Sequence, residues 1–196
     1  MTREYFNRMA ANWDEVAAER DMTKLERLAQ SLDIKSGSTV LDVGTGTGIF
    51  VPFLLAKIGR TGQLVALDFA EEMLKKAQAK GFSGNIEYLN ADITSVPLPD
   101  GVFDTVVCYS SFPHFRDKPR ALREISRLLK KGGKLFICHT SSRASINEIH
   151  RQIALLSDDA IPDNREMQNM LVGAGFTDIR ISEAAESYLV SARSSC

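Results

Sequence analysis

The chain has 196 residues, of which 44% are hydrophobic and 25% charged, and this composition fits one globular domain. Its 24 basic and 25 acidic residues nearly cancel and no block of like charge stands out, so a broad nucleic-acid-binding surface is not supported. No apolar stretch reaches the roughly 18 residues of a membrane span, and the charged N-terminus lacks the apolar core of a secretory signal. Cys108, Cys138 and Cys196 form no CxxC pair, which favours free thiols in a cytoplasmic protein.

Two helices are predicted before residue 35. Helical spacing of apolar residues marks the first, at Phe6, Met9, Ala10, Trp13, Val16 and Ala17. The second is predicted from the sequence TKLE at 23–26, which has the Ser/Thr-x-x-Glu form of a capping box. Each helix has one apolar face to bury, so we expect both helices to pack on the rest of the domain.

From residue 38 onward, short apolar runs alternate with helical patterns. Strands are predicted at 39–43, 63–68, 85–92, 102–110 and 134–140, and helices at 49–58, 70–81, 117–133, 141–156 and 163–175, with Asp117 and Asp163 as caps of two of them. This alternation is typical of a parallel sheet covered by helices on both faces. The last two strands, 177–182 and 187–192, are too close for a parallel crossover and must form an antiparallel hairpin. The predicted fold is therefore a doubly wound α/β domain with a mostly parallel seven-stranded sheet and an antiparallel C-terminal hairpin.

A glycine-rich turn follows the first predicted strand, in the sequence VLDVGTGTGIF at 40–50. Gly44, Gly46 and Gly48 permit backbone conformations and a close ligand approach that side chains would block. A dinucleotide-binding G-x-G-x-x-G fingerprint would need glycine at position 49, which is Ile49, and no P-loop ending in Gly-Lys-Ser/Thr is present.

The spacing D-x-G-x-G-x-G, from Asp42 to Gly48, resembles motif I of the class I S-adenosylmethionine-dependent methyltransferases. The likeness continues in order through VALDFAEEML with Asp68, NADITSVPLPDGVFD around Asp92, and ALREISRLLKKGGKL before the fifth strand. The N-terminal YFNRMAANWDE, placed like the family's lid helix, agrees as well. Within the family the chain resembles the type 11 small-molecule methyltransferases related to ubiquinone and menaquinone biosynthesis enzymes.

This resemblance implies S-adenosyl-L-methionine as cofactor, S-adenosyl-L-homocysteine as product, and these cofactor-binding residues: Asp42, Gly44, Thr45, Gly46, Gly48, Asp68, Phe69, Met73, Asp92, Ile93 and Tyr109. In the family's pattern the glycine backbone lies against the methionyl and ribose parts, Asp42 helps to hold the amino group, and Asp68 accepts from both ribose hydroxyls. Phe69 and Met73 would flank the adenine, and Asp92 would accept from its exocyclic amine. Four of these assignments have a structural alternative: Asp68 could cap the next helix, Met73 could be core, Asp92 could satisfy its own loop, and Asp42 could serve the glycine loop's backbone.

The sequence after the fourth strand bears on the methyl acceptor. Amino-methylating members of the family often carry N/D-P-P-Y there, whereas this chain has CYSSFPHF at 108–115. The difference argues against nucleic-acid bases and amide nitrogens, and leaves oxygen, carbon, sulfur or a metalloid as the acceptor atom. A catalytic base is needed only if the acceptor has a proton to lose.

The three histidines fall just past the fourth strand (His114), at the end of the fifth strand (His139) and on the following helix (His150). Arg143, Asn147 and His150 share one face of that helix. We expect the histidines and Arg143 to form the acceptor pocket, with His114 as general base or orienting donor and Arg143 neutralising an anionic acceptor. The alternative is that Arg143 and His150 lie on a solvated face and His139 is a satisfied buried histidine. Three histidines with Cys108 or Cys138 nearby could also ligate zinc, but no HxxxH or CxxC spacing is present, so no metal ligands are assigned and metal binding by the histidines stays open.

The sequence therefore predicts methyl transfer from S-adenosylmethionine to a small molecule, anionic if Arg143 faces it, by in-line displacement. Residues 1–196 are expected to form one domain, with the lid at 1–35, the cofactor-binding core at 36–140, and acceptor-side helices and the hairpin at 141–196. Two other functions stay open: a nicotinamide-dependent oxidoreductase, and a protein that binds adenosylmethionine or a partner without catalysis. The oligomeric state also stays open.

Overall fold

The computed structural model describes residues 2–16 and 21–195. In that part of the chain the strands are β1 (Thr39–Val43), β2 (Gln63–Asp68), β3 (Ile86–Asn90), β4 (Phe103–Tyr109), β5 (Leu129–His139), β6 (Phe176–Ala184) and β7 (Ser187–Ser194). The helices are α1 (Thr2–Met9), α2 (Trp13–Val16), α3 (Met22–Ser31), α4 (Val51–Ile58), α5 (Glu71–Ala79), α6 (Lys118–Leu128), α7 (Arg143–Arg151) and α8 (Asn164–Gly173). Short 3₁₀ turns occupy Ala10–Asn12, Ile93–Ser95 and Phe112–His114. Ala17 and Cys196, which figure in the sequence predictions, lie outside the described residues.

The strands form one seven-stranded sheet in the order β3-β2-β1-β4-β5-β7-β6. β7 runs antiparallel to both β5 and β6, and the other neighbouring strands pair in parallel. The predicted fold is therefore confirmed. The direction in which the chain adds strands reverses between β1 and β4, and sheets of this kind bind ligands beyond the carboxyl ends of the strands at that point.

Helices cover both faces of the sheet, which explains the nearly continuous apolar character of its strands. On one face, Val40 and Val107 are buried with α3 and α4. Their sequence neighbours Leu41 and Val106 are buried on the other face with α6 and α8. Successive residues of a strand point to opposite faces, so both must be apolar when both faces are covered.

Capping residues set where the helices begin. Asp117 and Asp163, both predicted as caps, accept backbone hydrogen bonds in the first turns of α6 and α8. The capping box predicted at 23–26 is wrong, because α3 begins at Met22 and its cap is Asp21. An aspartate two residues upstream thus satisfies the free N–H groups of the first turn.

The fifth strand begins earlier than predicted, and α6 ends earlier to the same extent. Leu129 pairs with Phe103 of β4, although the pattern placed it inside the preceding helix. Gly132, with a φ of +72°, lets the strand pass through a left-handed residue before it regains its register at Thr105 and Lys134. Pairing with β4 therefore overrides the helical pattern of the sequence LLKK.

The N-terminal helices take two different positions. α3 packs beside α4 in the core of one sheet face. α1 and α2 lie against α5, where Phe6 and Ala10 join Ala70, Met73 and Leu156 in a separate apolar cluster. Leu156 follows α7, so this cluster joins the N-terminal helices to two elements at the carboxyl edge of the sheet.

The two described cysteines, Cys108 on β4 and Cys138 on β5, are buried thiols and not disulfides. Among the described residues, no helix has the length and apolar character required to cross a bilayer.

Candidate active site

A cavity of about 770 Å³ opens beyond the carboxyl ends of β1, β2, β4 and β5. Its walls come from α1, α2, the glycine-rich turn, the first turn of α5 and helix α7. Most of the predicted site residues line it: Gly44, Thr45, Gly46, Asp68, Phe69, Met73, Asp92, Ile93, Tyr109, His114, His139 and His150. Asp42, Gly48 and Arg143 are not part of its lining. The structure thus brings most of the predicted cofactor residues and all three histidines to one cavity.

The three positions of the turn favour glycine for different structural reasons. All adopt left-handed φ values, of +72° at Gly44, +57° at Gly46 and +82° at Gly48. A Cβ at Gly44 would lie 2.4 Å from the Cβ of Ser111, and one at Gly48 would lie 2.7 Å from the ring of Phe82. A Cβ at Gly46 would meet no atom within 4 Å. Packing therefore requires two of the glycines, whereas Gly46 borders open space in the cavity.

Asp68 connects the glycine turn to the start of α5. Its Oδ2 accepts a hydrogen bond from Gly46 N, and its Oδ1 accepts one from Ala70 N, both at 2.8 Å. Burial raises the pKa of Asp68 to about 6, against the opposing effect of the N–H groups of Ala70, Gly46 and Phe69. Each carboxylate oxygen keeps a further lone pair, so Asp68 can hold the loop and still accept from a ligand in the cavity.

Asp42 lies behind the glycine turn and is 2% exposed. Burial raises its pKa to about 7, partly offset by the Thr45 hydroxyl and reinforced by the charge of Asp68. Within the described residues, its Oδ2 accepts no hydrogen bond. An unsatisfied buried carboxylate oxygen is costly in the free protein, and a positively charged ligand nearby would reduce that cost.

The predicted adenine-binding residues also carry structural roles. Met73 is 2% exposed and belongs to the apolar cluster under α1. Asp92 caps the 3₁₀ turn that starts at Ile93, because its Oδ1 accepts from the N–H and the hydroxyl of Thr94 at 2.8 and 2.7 Å. The structural alternatives for these residues are therefore real features of the fold, and both residues line the cavity as well.

The end of β4 supplies a rigid aromatic wall. The Tyr109 ring stacks on Phe50 with centroids 4.6 Å apart and an interplanar angle of 18°. Its hydroxyl lies 3.2 Å from the Thr140 hydroxyl, at the end of the neighbouring strand. Stacking and hydrogen bonding together fix the ring that faces the cavity.

Two of the histidines meet at a residue that the sequence patterns did not indicate. Asp159, in the segment after α7, has its Oδ2 2.8 Å from His114 Nδ1, and its backbone oxygen 2.5 Å from His150 Nδ1. The two imidazole rings lie 4.8 Å apart. Burial lowers the pKa of His150, and His114 adds to this effect. Because Asp159 is 45 residues from His114, no local motif could have identified it.

His139 occupies the end of β5 and is 1% exposed. It pairs across the sheet with Tyr188 of β7, and the two ring centroids are 6.3 Å apart. Burial raises the pKa of the Tyr188 phenol to about 12. His139 is therefore part of the floor of the cavity and part of the sheet core at once.

The prediction that Arg143 approaches the same cavity is wrong. Its Nε lies 3.4 Å from a carboxylate oxygen of Glu183 on β6, away from the cavity lining. Asn147, one turn further along the same face, instead bonds the backbone of Ile161 in both directions, at 3.0 and 2.8 Å. That face of α7 holds the segment that carries Asp159, and only its end, at His150, reaches the cavity.

The N-terminal helices are fastened over the cavity by polar and aromatic contacts. Asp14 of α2 accepts a hydrogen bond from the Thr47 hydroxyl at 2.5 Å and pairs with Lys80 at 2.8 Å. Phe6 of α1 packs edge-to-face on His114 and Phe69, with centroid distances of 4.9 and 6.0 Å. One helix pair thus contacts both the glycine turn and the first of the histidines.

These features fit S-adenosylmethionine. Gly46 leaves room for close approach, Asp68 offers acceptors for ribose hydroxyls, and buried carboxyls at Asp42 and Asp68 suit a cationic ligand. Phe69 and Ile93 supply apolar surfaces of the kind that an adenine ring packs against. Within residues 2–16 and 21–195, no three His, Cys, Asp or Glu side chains are arranged to hold a metal ion.

Comparison with known proteins supports the same assignment. The family model described as a methyltransferase domain matches residues 41–137. The ubiquinone/menaquinone biosynthesis C-methyltransferase UbiE of Escherichia coli is 31% identical, and the match covers 74% of this chain and 69% of UbiE. The crystal structure of a SAM-dependent methyltransferase from Aquifex aeolicus is 26% identical with a TM-score of 0.77, and the match covers 96% of this chain and 98% of that one.

A further solved structure shows the same fold with the cofactor bound. Phosphoethanolamine N-methyltransferase 2 of Haemonchus contortus, in complex with S-adenosyl-L-methionine, superimposes with a TM-score of 0.73 at 20% identity, over 93% of this chain and 46% of that one. The family model, the identity to UbiE and the fold agree with the motifs around Asp42, Asp68 and Asp92. The chain therefore belongs to the type 11 group of the class I S-adenosylmethionine-dependent methyltransferases and is an enzyme that uses S-adenosylmethionine as its methyl donor.

Proposed function

We propose that the cavity holds S-adenosylmethionine beside a small-molecule acceptor and that the methyl group is transferred by in-line displacement. The observation that carries this proposal is the continuity of one cavity from Gly46 and Asp68 to the three histidines. A donor gripped at one end and an acceptor held at the other would lie in direct contact, which is the geometry that displacement requires.

The residues of the glycine turn and the strand ends bind the cofactor in this proposal. Gly44, Thr45, Gly46 and Gly48 form the turn against the methionyl and ribose parts, and Asp68 accepts from the ribose hydroxyls. Asp42 acts from behind the turn, where its negative charge favours the amino group. The adenine would lie in the part of the cavity lined by Phe69, Met73, Asp92 and Ile93, and Tyr109 would limit the methionyl side.

The chemistry divides between the cofactor and the protein. When bound, S-adenosylmethionine supplies the methyl group of its sulfonium, the acceptor contributes the electron pair of the new bond, and the pair of the broken carbon–sulfur bond stays on sulfur. The protein positions both molecules, and α1 and α2 exclude water from them. His114 orients the acceptor or takes its proton, with His139 and His150 beside it.

A small acceptor is favoured by the shape and character of the cavity. Its volume of about 770 Å³ lies within the range of roughly 300–1,000 Å³ found for sites that enclose small ligands. The acceptor side is closed by apolar residues: Phe6, Trp13, Phe115, Ile146, Ile149 and Leu156. UbiE is named as a C-methyltransferase and the Haemonchus enzyme as an N-methyltransferase, so the acceptor atom must be argued from this cavity and not from its relatives.

Neither of the alternative functions is favoured. The nicotinamide-dependent oxidoreductase is disfavoured because Ile49 replaces the glycine that a dinucleotide fingerprint needs. Of the three glycines in the turn, only Gly46 is a position where a Cβ would meet open space. The polar side chains of the acceptor side face a roomy cavity, whereas a protein that had lost its acceptor site would be expected to have filled it.

Binding and transfer measurements test the proposal. In isothermal titration we expect S-adenosylmethionine and S-adenosylhomocysteine to bind and NAD not to bind. Donor labelled in its methyl group should pass label to members of a small-molecule panel and not to nucleic acid or protein. A chiral methyl group should be transferred with inversion, and retention would contradict in-line displacement. Binding of NAD in place of the donor would overturn the assignment of the cofactor residues.

A further inference from the structure

The segment that follows α7 places one aspartate against two histidines at once. His114 comes from the 3₁₀ turn after β4, His150 from the last turn of α7, and Asp159 reaches both through different atoms. The side chains of His114 and Asp159 are only 12% and 16% exposed, so water competes weakly for their contact. The Asp159 backbone is itself fixed, since its N–H donates to Leu156 O at 2.8 Å.

The two contacts assign the proton positions of both imidazoles in their neutral form. A backbone carbonyl oxygen only accepts hydrogen bonds, so His150 must carry its proton on Nδ1. A carboxylate likewise only accepts, which places the proton of His114 on Nδ1 as well. In each ring Nε2 then carries a lone pair and is the nitrogen that remains to meet a bound molecule.

From this geometry, and resting on the function proposed above, we infer that Asp159 is a positioning residue, which directs Nε2 of both histidines to accept hydrogen bonds from the bound substrate. The methyl acceptor of this site therefore carries a proton on its nucleophilic atom. The Nε2 lone pairs of His114 and His150 favour a substrate group that donates a hydrogen bond. They repel a substrate atom that has lone pairs but no proton. The inference narrows the predicted acceptor atoms to those that carry a proton, such as the oxygen of a hydroxyl, the sulfur of a thiol or an acidic carbon.

The proposed step balances with no further reactant. The acceptor's proton passes to Nε2 of His114, and the electron pair of that bond becomes available for the new bond to the methyl carbon. The carbon–sulfur pair returns to sulfur, which loses its positive charge, and the proton later leaves His114 for solvent. Asp159 stabilises the imidazolium that forms and keeps its own charge throughout.

Other charged groups near the pair come from three elements. Lys118, at the start of α6, interacts electrostatically with Asp159 while its ammonium donates to Pro113 O at 2.8 Å. His150 and His139 add positive charge when protonated. Phe6 covers the His114 ring from α1. Asp159 is thus the acid in direct contact with His114, and its removal should act on that histidine first.

Nitrogen-15 spectra of histidine-labelled protein test the tautomers without any substrate. We expect His114 and His150 to carry the proton on Nδ1, both in the protein alone and with S-adenosylhomocysteine bound. In Asp159→Asn the proton of His114 should no longer be confined to Nδ1, because the amide that replaces the carboxylate can donate a hydrogen bond as well as accept one. Asp158→Asn changes the exposed neighbour and is the matched control, expected to leave the proton of His114 on Nδ1. A proton on Nε2 of His114 in the wild type, or the same His114 tautomers in the two variants, would overturn the role of Asp159.

Matched acceptor pairs test the substrate class. Each pair contrasts a proton-bearing acceptor with its blocked analogue: a phenol and its methyl ether, or a thiol and its thioether. Turnover should be confined to the proton-bearing members, and Asp159→Asn should lower kcat about 10- to 100-fold while the KM for the donor stays within twofold. Turnover of a blocked analogue would contradict the inference. Failure of S-adenosylhomocysteine to bind would instead contradict the proposed function, and the tautomers would still decide the role of Asp159.

Discussion

The two halves of the cavity are held by different kinds of contact. On the cofactor side, Asp68 accepts from backbone N–H groups of the glycine turn and of the start of α5. On the acceptor side, Asp159 meets His114 by a side-chain contact, and Phe6 covers the ring of that histidine. The first half is built from turns that leave adjacent parallel strands, and the second from elements that are remote in the chain.

This difference indicates which half of the cavity tolerates amino-acid substitution. Backbone geometry at strand ends is fixed by the sheet, so the cofactor half tolerates few substitutions. The acceptor half depends on side chains from α1, α7 and the segment after it, which can be replaced singly while the sheet stays intact. A fold that keeps one donor and accepts many acceptors needs such a division. Substitutions on the two sides should therefore fail in different ways.

The largest effect is expected at Gly44. Alanine there would keep a φ of +72° and place its Cβ 2.4 Å from that of Ser111, so left-handed strain and overlap add up to about 4 kcal/mol of unfolding free energy. Gly46→Ala is the control, since it has a similar φ but open space, and should lose only about 1 kcal/mol. Urea unfolding measures both. Equal losses would mean that the contact with Ser111 does not limit position 44.

The next effect concerns donor binding at Asp68. Asp68→Asn keeps the size of the side chain and removes the charge that strengthens its hydrogen bonds to a ligand. We expect affinity for S-adenosylmethionine to fall about 100-fold, or roughly 3 kcal/mol. Glu87→Gln, at an exposed position on β3, is the control and should bind normally. Unchanged affinity in Asp68→Asn would show that the carboxylate serves only the loop and α5.

Much of the fold could be predicted from the sequence. The bounds of β1 and β2 agree with the prediction residue by residue, because a strand buried on both faces has a continuous apolar run that turns end abruptly. The start of β5 could not be predicted, since pairing with β4 decides it and the local pattern is helical. The capping of α3 by Asp21 was missed because a nearby capping-box motif matched equally well.

In the candidate site, residues on the cofactor side could be predicted from the sequence, whereas key contacts on the acceptor side could not. Asp68 and Gly46 could be predicted because their spacing follows from one strand–turn–helix unit. Asp159 could not, since the contact to His114 spans 45 residues and depends on how the chain folds back after α7. The spacing of Arg143 placed it on the face that carries His150 but could not show that β6 offers it Glu183 as a partner.

A third prediction uses the buried carboxyl groups behind the glycine turn. Burial raises the pKa of Asp42 to about 7 and that of Asp68 to about 6, above the value near 4 of an unfolded aspartate. Between these values the folded protein holds protons that the unfolded chain has lost, so the free energy of unfolding falls as pH rises, by on the order of 1 kcal/mol per pH unit and group. The stabilisation that comes from protonated Asp42 and Asp68 is complete below about pH 4 and is lost by about pH 7.

Asp42→Asn separates the contribution of Asp42 from those of other acids. Urea unfolding at several pH values should show that the difference in stability between variant and wild type grows in favour of the variant from pH 4 to 7 and then stays constant. Carboxyl groups that do not interact with Asp42 titrate alike in both proteins and cancel in the difference, so Asp68, whose charge acts on Asp42, is the neighbour whose titration also changes. A difference that does not change with pH would show that Asp42 is ionised in the folded protein throughout this range.

The smallest effect is expected where the N-terminal helices meet the glycine turn. Thr47→Val keeps the shape of the side chain and removes the hydroxyl that donates to Asp14 at 2.5 Å, a loss of about 1 kcal/mol in the contact that closes the cavity. The dissociation rate of S-adenosylhomocysteine, followed by stopped-flow fluorescence of Trp13, should rise about fivefold, because release needs α2 to open. Thr61→Val, at an exposed position before β2, should leave this rate unchanged. If both variants release the product at the wild-type rate, the hydrogen bond between Thr47 and Asp14 does not limit the opening of the cavity.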